Sequence, residues 1–233
     1  MQTQGQWVSA GLLAIGMVVA SLILGAAVRD FRISDRHVEV KGFAEQEVAA
    51  DLAIWPINYQ LAAGSLEELR REMRAADDAV VAFLNGYGFA DDEISRNPPR
   101  ISDLWMHAHG DHRPPNRYSA ERGLTLRTRQ VDATVRALQD SAELVSQGVL
   151  LTPNWGQAAQ FLFTGLDDLK PAMIAAATAD ARRAASQFAA DSDSRIGPIR
   201  SARQGFFSIT ERDPSTPELK LIRVVATIEY ILE

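Results

Sequence analysis

The stretch of this sequence best suited to chemistry is His107-Ala-His-Gly-Asp-His112, three imidazoles and one carboxylate within six residues. Neutral imidazole nitrogens and carboxylate oxygens are ordinary ligands for zinc, nickel and copper. A zinc ion held by such groups with one position open lowers the pKa of its bound water to about 7 and so supplies a hydroxide nucleophile. A working site also needs ligands from other loops and further groups to orient them. The one histidine outside this string is His37, far upstream, and the chain has no cysteine. Disulfides, cysteine–zinc sites, iron–sulfur clusters and thiol nucleophiles are thereby excluded. The string reads as an exposed polar hairpin loop. His107, His109, Asp111 and His112 are candidate ligands for weak, adventitious metal, no catalytic residue is assigned, and no cofactor is expected.

Two alternatives use the same loop. The string matches the His-x-His-x-Asp-His pattern of metallo-β-lactamase-like hydrolases, which makes a zinc-dependent hydrolase the rival from another functional class. A sensor domain is the other, because imidazoles titrate near pH 6.5. Elsewhere there is no Gly-x-Ser-x-Gly elbow and no phosphate-binding Gly-rich Lys loop. The pairs Asp77-Asp78, Asp91-Asp92 and Asp167-Asp168 read as helix caps and solvated turns rather than as acid and base across a cleft. Nothing in the sequence brings a Ser-His-Asp set together.

The elements that would carry these residues begin with an uncharged run. Of 233 residues, 24 are Lys or Arg and 30 are Asp or Glu, a net charge of −6. That balance argues against a nucleic-acid partner, which calls for clustered cations. Trp7–Val28 contains no charge across 22 residues. At about 1.5 Å per residue a helix of that length spans a hydrocarbon core of roughly 30 Å. No basic n-region precedes it, so it reads as a retained transmembrane helix contacting the lipid bilayer rather than as a cleaved signal. Arg29, Arg32 and Arg36 follow it, and the positive-inside tendency would hold the rest of the chain in the cytoplasm. Gly16 with Ala20, and Ser21 with Gly25, place small residues four apart, a spacing that lets helices approach closely.

Beyond a short tail (1–6), the helix (7–28) and a linker (29–36), residues 37–233 mix strands with about three helices, an α+β pattern. His37–Ala44 and a second strand through Ala53, Trp55, Ile57, Tyr59 and Leu61 alternate apolar with polar. Pro56 predicts an edge or a bulge in the second strand. Ser65–Tyr87 is a helix opened by a Ser65/Glu68 capping box, with an apolar stripe through Leu66, Leu69, Met73, Ala76, Val80, Phe83 and Tyr87. Strands near Glu93–Trp105 and Arg117–Arg129 flank the histidine loop, and a second helix spans Asp132–Gln147. A strand over Gln157–Thr164 leads to an alanine-rich helix reaching about Ala190. In that helix Pro171 is placed in the first turn, and Ala175, Ala181 and Ala185 are expected to pack closely on a sheet. Strands Ile196–Ile209 and Leu219–Leu232 close the chain.

Several of these pieces resemble the SIMPL-domain family of bacterial cell envelopes. They are Val38-Glu-Val-Lys-Gly-Phe-Ala-Glu45 followed by a strand starting at Asp51, Gly-Tyr-Gly-Phe89 followed by Asp91-Asp-Glu-Ile94, and Leu124–Val149. Phe161-Leu-Phe163 with Ala181-Arg-Arg-Ala-Ala185, and the closing Val224–Tyr230, complete the set. The resemblance covers about His37 to Glu233. It implies a two-lobed α+β fold, a periplasmic location outside the inner membrane, scope for self-assembly into a homo-oligomer, and no catalytic residues to carry over. The chain departs from the family at Met106–His112, where many members have a longer glycine-rich connection. On this resemblance the expected protein is a single-pass inner-membrane protein with its soluble domain in the periplasm, against the arginine distribution.

Overall fold

A computed structural model describes residues 17, 21, 36–107, 113–152 and 159–233. The proposed membrane segment therefore lies outside the described residues except for Met17 and Ser21. Among the described residues no helix is long and apolar enough to cross a membrane.

The described chain runs β1 (His37–Ala49), β2 (Leu52–Ala63), α1 (Leu66–Gly86), β3 (Ile94–Arg96), β4 (Arg100–Asp103), β5 (Tyr118–Thr128), α2 (Val131–Gln139) and α3 (Ala142–Ser146). It continues through β6 (Gln160–Leu162), α4 (Leu166–Asp191), β7 (Ile196–Gln204), β8 (Ser208–Glu211) and β9 (Leu219–Leu232). Strands and helices are mixed in two sheets, an α+β fold. The helix expected over Asp132–Gln147 is two helices, α2 and α3, so the count rises from about three to four. Helix α2 ends at Asp140, whose N–H bonds the Arg136 carbonyl, and Ser141 starts the next turn.

Two compact units emerge. One comprises Glu47–Asp168 with Ile209–Ile222. Its sheet has the order β3-β5-β2-β6, with β4 also on β5. The antiparallel β2–β5 ladder runs unbroken from Ala53 opposite Thr128 to Ala63 opposite Tyr118. Its core collects Trp55, Ile57 and Tyr59 from β2, Leu124 and Leu126 from β5, Val80, Phe83 and Leu84 from α1, and Ala137 and Leu144 from α2 and α3. Each fully buried Leu or Phe contributes about 1.5–3 kcal/mol relative to an exposed one. Pro56 is not at a bulge, because it lies in register inside this ladder opposite Thr125; it faces the flank where the described pairing of β2 with β6 has ended, a local edge. The physical reason is directional. Asn58 and Gln60 turn their backbone groups away from β5, to Thr152 and Leu150. Pro56, in phase with them, lacks only a donor on that flank, beyond Ile54, where the pairing with β6 stops.

Helix α1 keeps most of its apolar stripe inward, with Leu69, Ala76, Val80 and Phe83 buried. Leu66 is exposed. The capping box is displaced by one residue: Glu68 N–H donates to Ser65 Oγ at 3.2 Å, while Glu68 Oε2 accepts from Gly64 N–H at 3.3 Å. Gly88, at φ +91°, supplies the left-handed turn after the helix.

The other unit comprises the described residues up to Gln46, Leu169–Ser208 and Arg223–Glu233. Its sheet order is β1-β9-β7. Leu232 N–H bonds the Arg36 carbonyl at 2.9 Å, which sets the start of β1 against the end of β9 and makes the pair antiparallel. The strand expected over Ile196–Ile209 breaks into β7 and β8 around Gly205, and β7 is bulged between Ile196 and Ser201, where Pro198 sits. Helix α4 buries Met173, Ala177, Ala181, Ala185 and Ala189, one residue per turn. Ala175 is exposed and Ala177 takes the role expected for it. Pro171 is the sixth residue of α4, in its second turn rather than its first.

Candidate functional site

The described flanks of the histidine string are tightly held. Leu104 N–H donates to the Arg117 carbonyl at 2.7 Å, and the Trp105 indole N–H to the Pro114 carbonyl at 3.1 Å. Arg117 clamps Asp103 with Nε and Nη2 at 3.0 and 2.8 Å, which holds the Asp103 carboxyl below its usual range. The Arg113 and Arg117 guanidiniums each lie 5.2 Å from the centre of the Trp105 ring, at cation–π distance. His107 ends a single 3-10 turn, Leu104–His107. His109, Asp111 and His112 lie outside the described residues, and among the described residues no cluster of three metal-ligating side chains occurs. His37 opens β1 in the other unit, with its Nδ1 2.9 Å from Arg200 Nη1.

A buried polar assembly lies elsewhere, on the core face of β2 and β5. Tyr59 is fully buried and stands directly across the ladder from Arg122. Its hydroxyl donates to Asp77 Oδ1 of α1. Arg122 Nη2 reaches Asp77 Oδ2 at 2.7 Å, its Nε lies 3.2 Å from both Asp77 oxygens, and its Nη1 donates to the Asn97 carbonyl at 2.5 Å. The side chains of Arg122 and Asp77 are each 13% exposed. Burial first, and then the bond to the Asp77 carboxylate, push the Tyr59 phenol far above its usual range. The carboxylate also raises the Arg122 guanidinium. A phenol so held has no proton to exchange near neutrality, and both carboxylate oxygens are occupied. The assembly is a lock between helix and sheet rather than an acid–base centre.

Asp77 is thus not the cap or solvated turn residue that its pairing with Asp78 suggested; Asp78 is the exposed one. A signal for it existed. Asp77 falls four residues after Met73 and three before Val80, on the apolar stripe of the helix. Arg122 likewise sits between Ala120 and Leu124 on the inward alternation of β5.

Asp51 forms a second lock in the same unit. Its carboxylate accepts the Thr164 N–H at 2.8 Å, the Thr164 hydroxyl at 2.9 Å and the Gly165 N–H at 3.1 Å, tying the β1–β2 turn to the residues just before α4. This accounts physically for an aspartate at the head of the second strand. Asp51→Ala removes three bonds to a charged acceptor, and the expected loss is about 2 kcal/mol in urea unfolding. A loss below about 0.5 kcal/mol, the scale of an ordinary surface change, would show that the turn does not depend on it.

Two compact α+β units, each built on an antiparallel sheet, define the class of protein. The SIMPL family model, described as a protein of unknown function (DUF541), matches residues 38–221, and the chain belongs to that family. No curated protein matches the chain.

Proposed function

We propose that this protein is a membrane-anchored envelope protein that acts as a structural, self-assembling module. The observation that carries assembly is the exposed apolar surface of the unit containing α4. Phe206 is 99% exposed, and Phe188 and Ile199 are more than half exposed. Large apolar groups left in water favour burial against a partner. Helix α4 buries one residue per turn and leaves a broad face exposed through Arg182, Ser186 and Phe188. A second copy of the chain is the partner proposed. Anchoring rests on the uncharged Trp7–Val28 run, and the periplasmic side of the inner membrane rests on the family resemblance.

The test uses full-length protein in mild detergent. A particle several chains in mass is expected, and Phe206→Ser should weaken association by about 2 kcal/mol, roughly thirtyfold, as for a central apolar anchor. Folding should be unchanged because Phe206 buries nothing. A monomer across a wide concentration range would sink the assembly reading. The protein should sediment with membranes, whereas a chain beginning at Asp30 should be soluble. A reporter that works only in the periplasm should be active when fused after Glu233; activity of a cytoplasm-dependent reporter there would reverse the orientation.

A further inference from the structure

In the unit containing β2 and β5, a concavity of about 550 Å³ opens between β6 with its flanking residues and the segment of β8 and β9 that faces them. That volume falls within the roughly 300–1,000 Å³ of small-molecule sites. Phe161, Leu162, Phe163 and Ile209 make its walls apolar. Lys220 lines it too, and its side chain is only 8% exposed.

A buried ammonium is costly unless it is paired and its donors are used. Lys220 has three N–H donors. Its side-chain partner among the described residues is Glu211, at 3.5 Å, the long limit of a hydrogen bond. Glu211 is itself 56% exposed, so water competes for its carboxylate. A nearly buried cation with a weak, solvated counter-ion, set in apolar walls, is chemically complementary to an anion with an apolar body. A ligand carboxylate would take the place of Glu211 at the Lys220 ammonium, and its hydrocarbon portion would cover the phenyl and aliphatic walls.

We propose that this concavity binds a small apolar monocarboxylate, with Lys220 as the anion-binding group and Glu211 as the internal carboxylate that the ligand displaces. The inference goes beyond the structural role proposed above and does not depend on it.

The test is equilibrium dialysis of phenylpropionate against full-length protein in detergent, with empty micelles subtracted. One saturable site is expected. Lys220→Met should weaken binding by at least about tenfold, the effect of losing a charge-assisted bond, and phenylpropanol should bind about as weakly to the unaltered protein. Glu211→Gln should tighten phenylpropionate several-fold, because a competitor is gone. Leu162→Trp, at the 41%-exposed rim, should block the site without disturbing the core, which keeps the test decisive if Lys220→Met fails to fold. The proposal is overturned by any one of four results: no saturable binding, equal affinity for the alcohol, weaker binding in Glu211→Gln, or full binding in Leu162→Trp.

Discussion

Replacing Asp77 with Ala is expected to lower the unfolding free energy by about 3–5 kcal/mol, the cost of stripping one partner from a buried ion pair. The variant leaves the Arg122 guanidinium 13% exposed without its carboxylate and leaves the Tyr59 hydroxyl buried without its acceptor. Such a loss is a large share of the roughly 5–15 kcal/mol available to a typical domain. Removing the whole set should cost far less. Tyr59→Phe, Asp77→Leu and Arg122→Met together replace a polar lock with apolar packing of similar volume, which is often neutral. Urea unfolding of the single and triple variants checks both expectations. A single variant within about 1 kcal/mol of the unaltered protein would mean the pair is solvated and of little weight.

The same lock gives a pH dependence. The phenol of Tyr59 is raised in the folded chain above its unfolded value of about 10. A raised group stabilises fully below the unfolded value, and that contribution is lost as pH climbs toward the folded one. Tyr87, hydrogen-bonded to Asp140 at 2.6 Å, is raised to about 12 and acts in the same direction. Tyrosine ionisation should therefore leave stability level through neutrality and lower it above about pH 10. Tyr59→Phe should flatten that decline; an unaltered alkaline decline would show that Tyr59 ionises as an ordinary phenol.

The sequence made elements legible wherever one physical pattern ran uninterrupted. Alternation from Ile222 to Tyr230 marks most of β9, and the stripe from Leu69 to Phe83 marks α1. Patterns failed where the deciding fact is non-local. Pro56 reads as an edge or a bulge; the register excludes the bulge, and only the pairing shows which flank its missing donor faces, the one where the described β6 ladder has ended. The break between α2 and α3 leaves the apolar positions Val135, Leu138, Ala142 and Val145 at helical spacing, so periodicity bridges it. Asp77 looks like its exposed neighbour Asp78 because its partner, Arg122, lies 45 residues away. Of the histidine string, sequence spacing gives the residue types but not a ligand geometry. The described structure adds the Asp103–Arg117 clamp at its base.

Gly42→Ala is expected to be as damaging as the loss of Asp77, for a steric rather than an electrostatic reason. A methyl at Gly42 would lie 2.1 Å from the Ala177 carbonyl oxygen, 2.2 Å from the Ala181 nitrogen and 2.8 Å from the Ala181 Cα. All three are backbone atoms of α4, so no side-chain rotation relieves the contact. Helix and strand must separate. That would strip packing from Ala177, Ala181 and Ala185, each fully buried, and strain the 3.0 Å bond from Phe43 N–H to Asp180 Oδ2. Overpacking of a tight contact costs about 1–3 kcal/mol and occasionally more, and the rigidity of this one places it at the upper end. Gly86→Ala is the internal control, because nothing lies within 4 Å of a methyl there and the site is helical. That change should stabilise by about 0.5–1 kcal/mol. Thermal and urea unfolding of the two variants should therefore move in opposite directions. A third variant separates backbone from side-chain crowding. Ala181→Gly in the Gly42→Ala background removes a methyl that is not the obstruction, so it should not restore stability. Recovery in that double variant would show that the helix approaches the strand through its alanine side chains and not through its main chain.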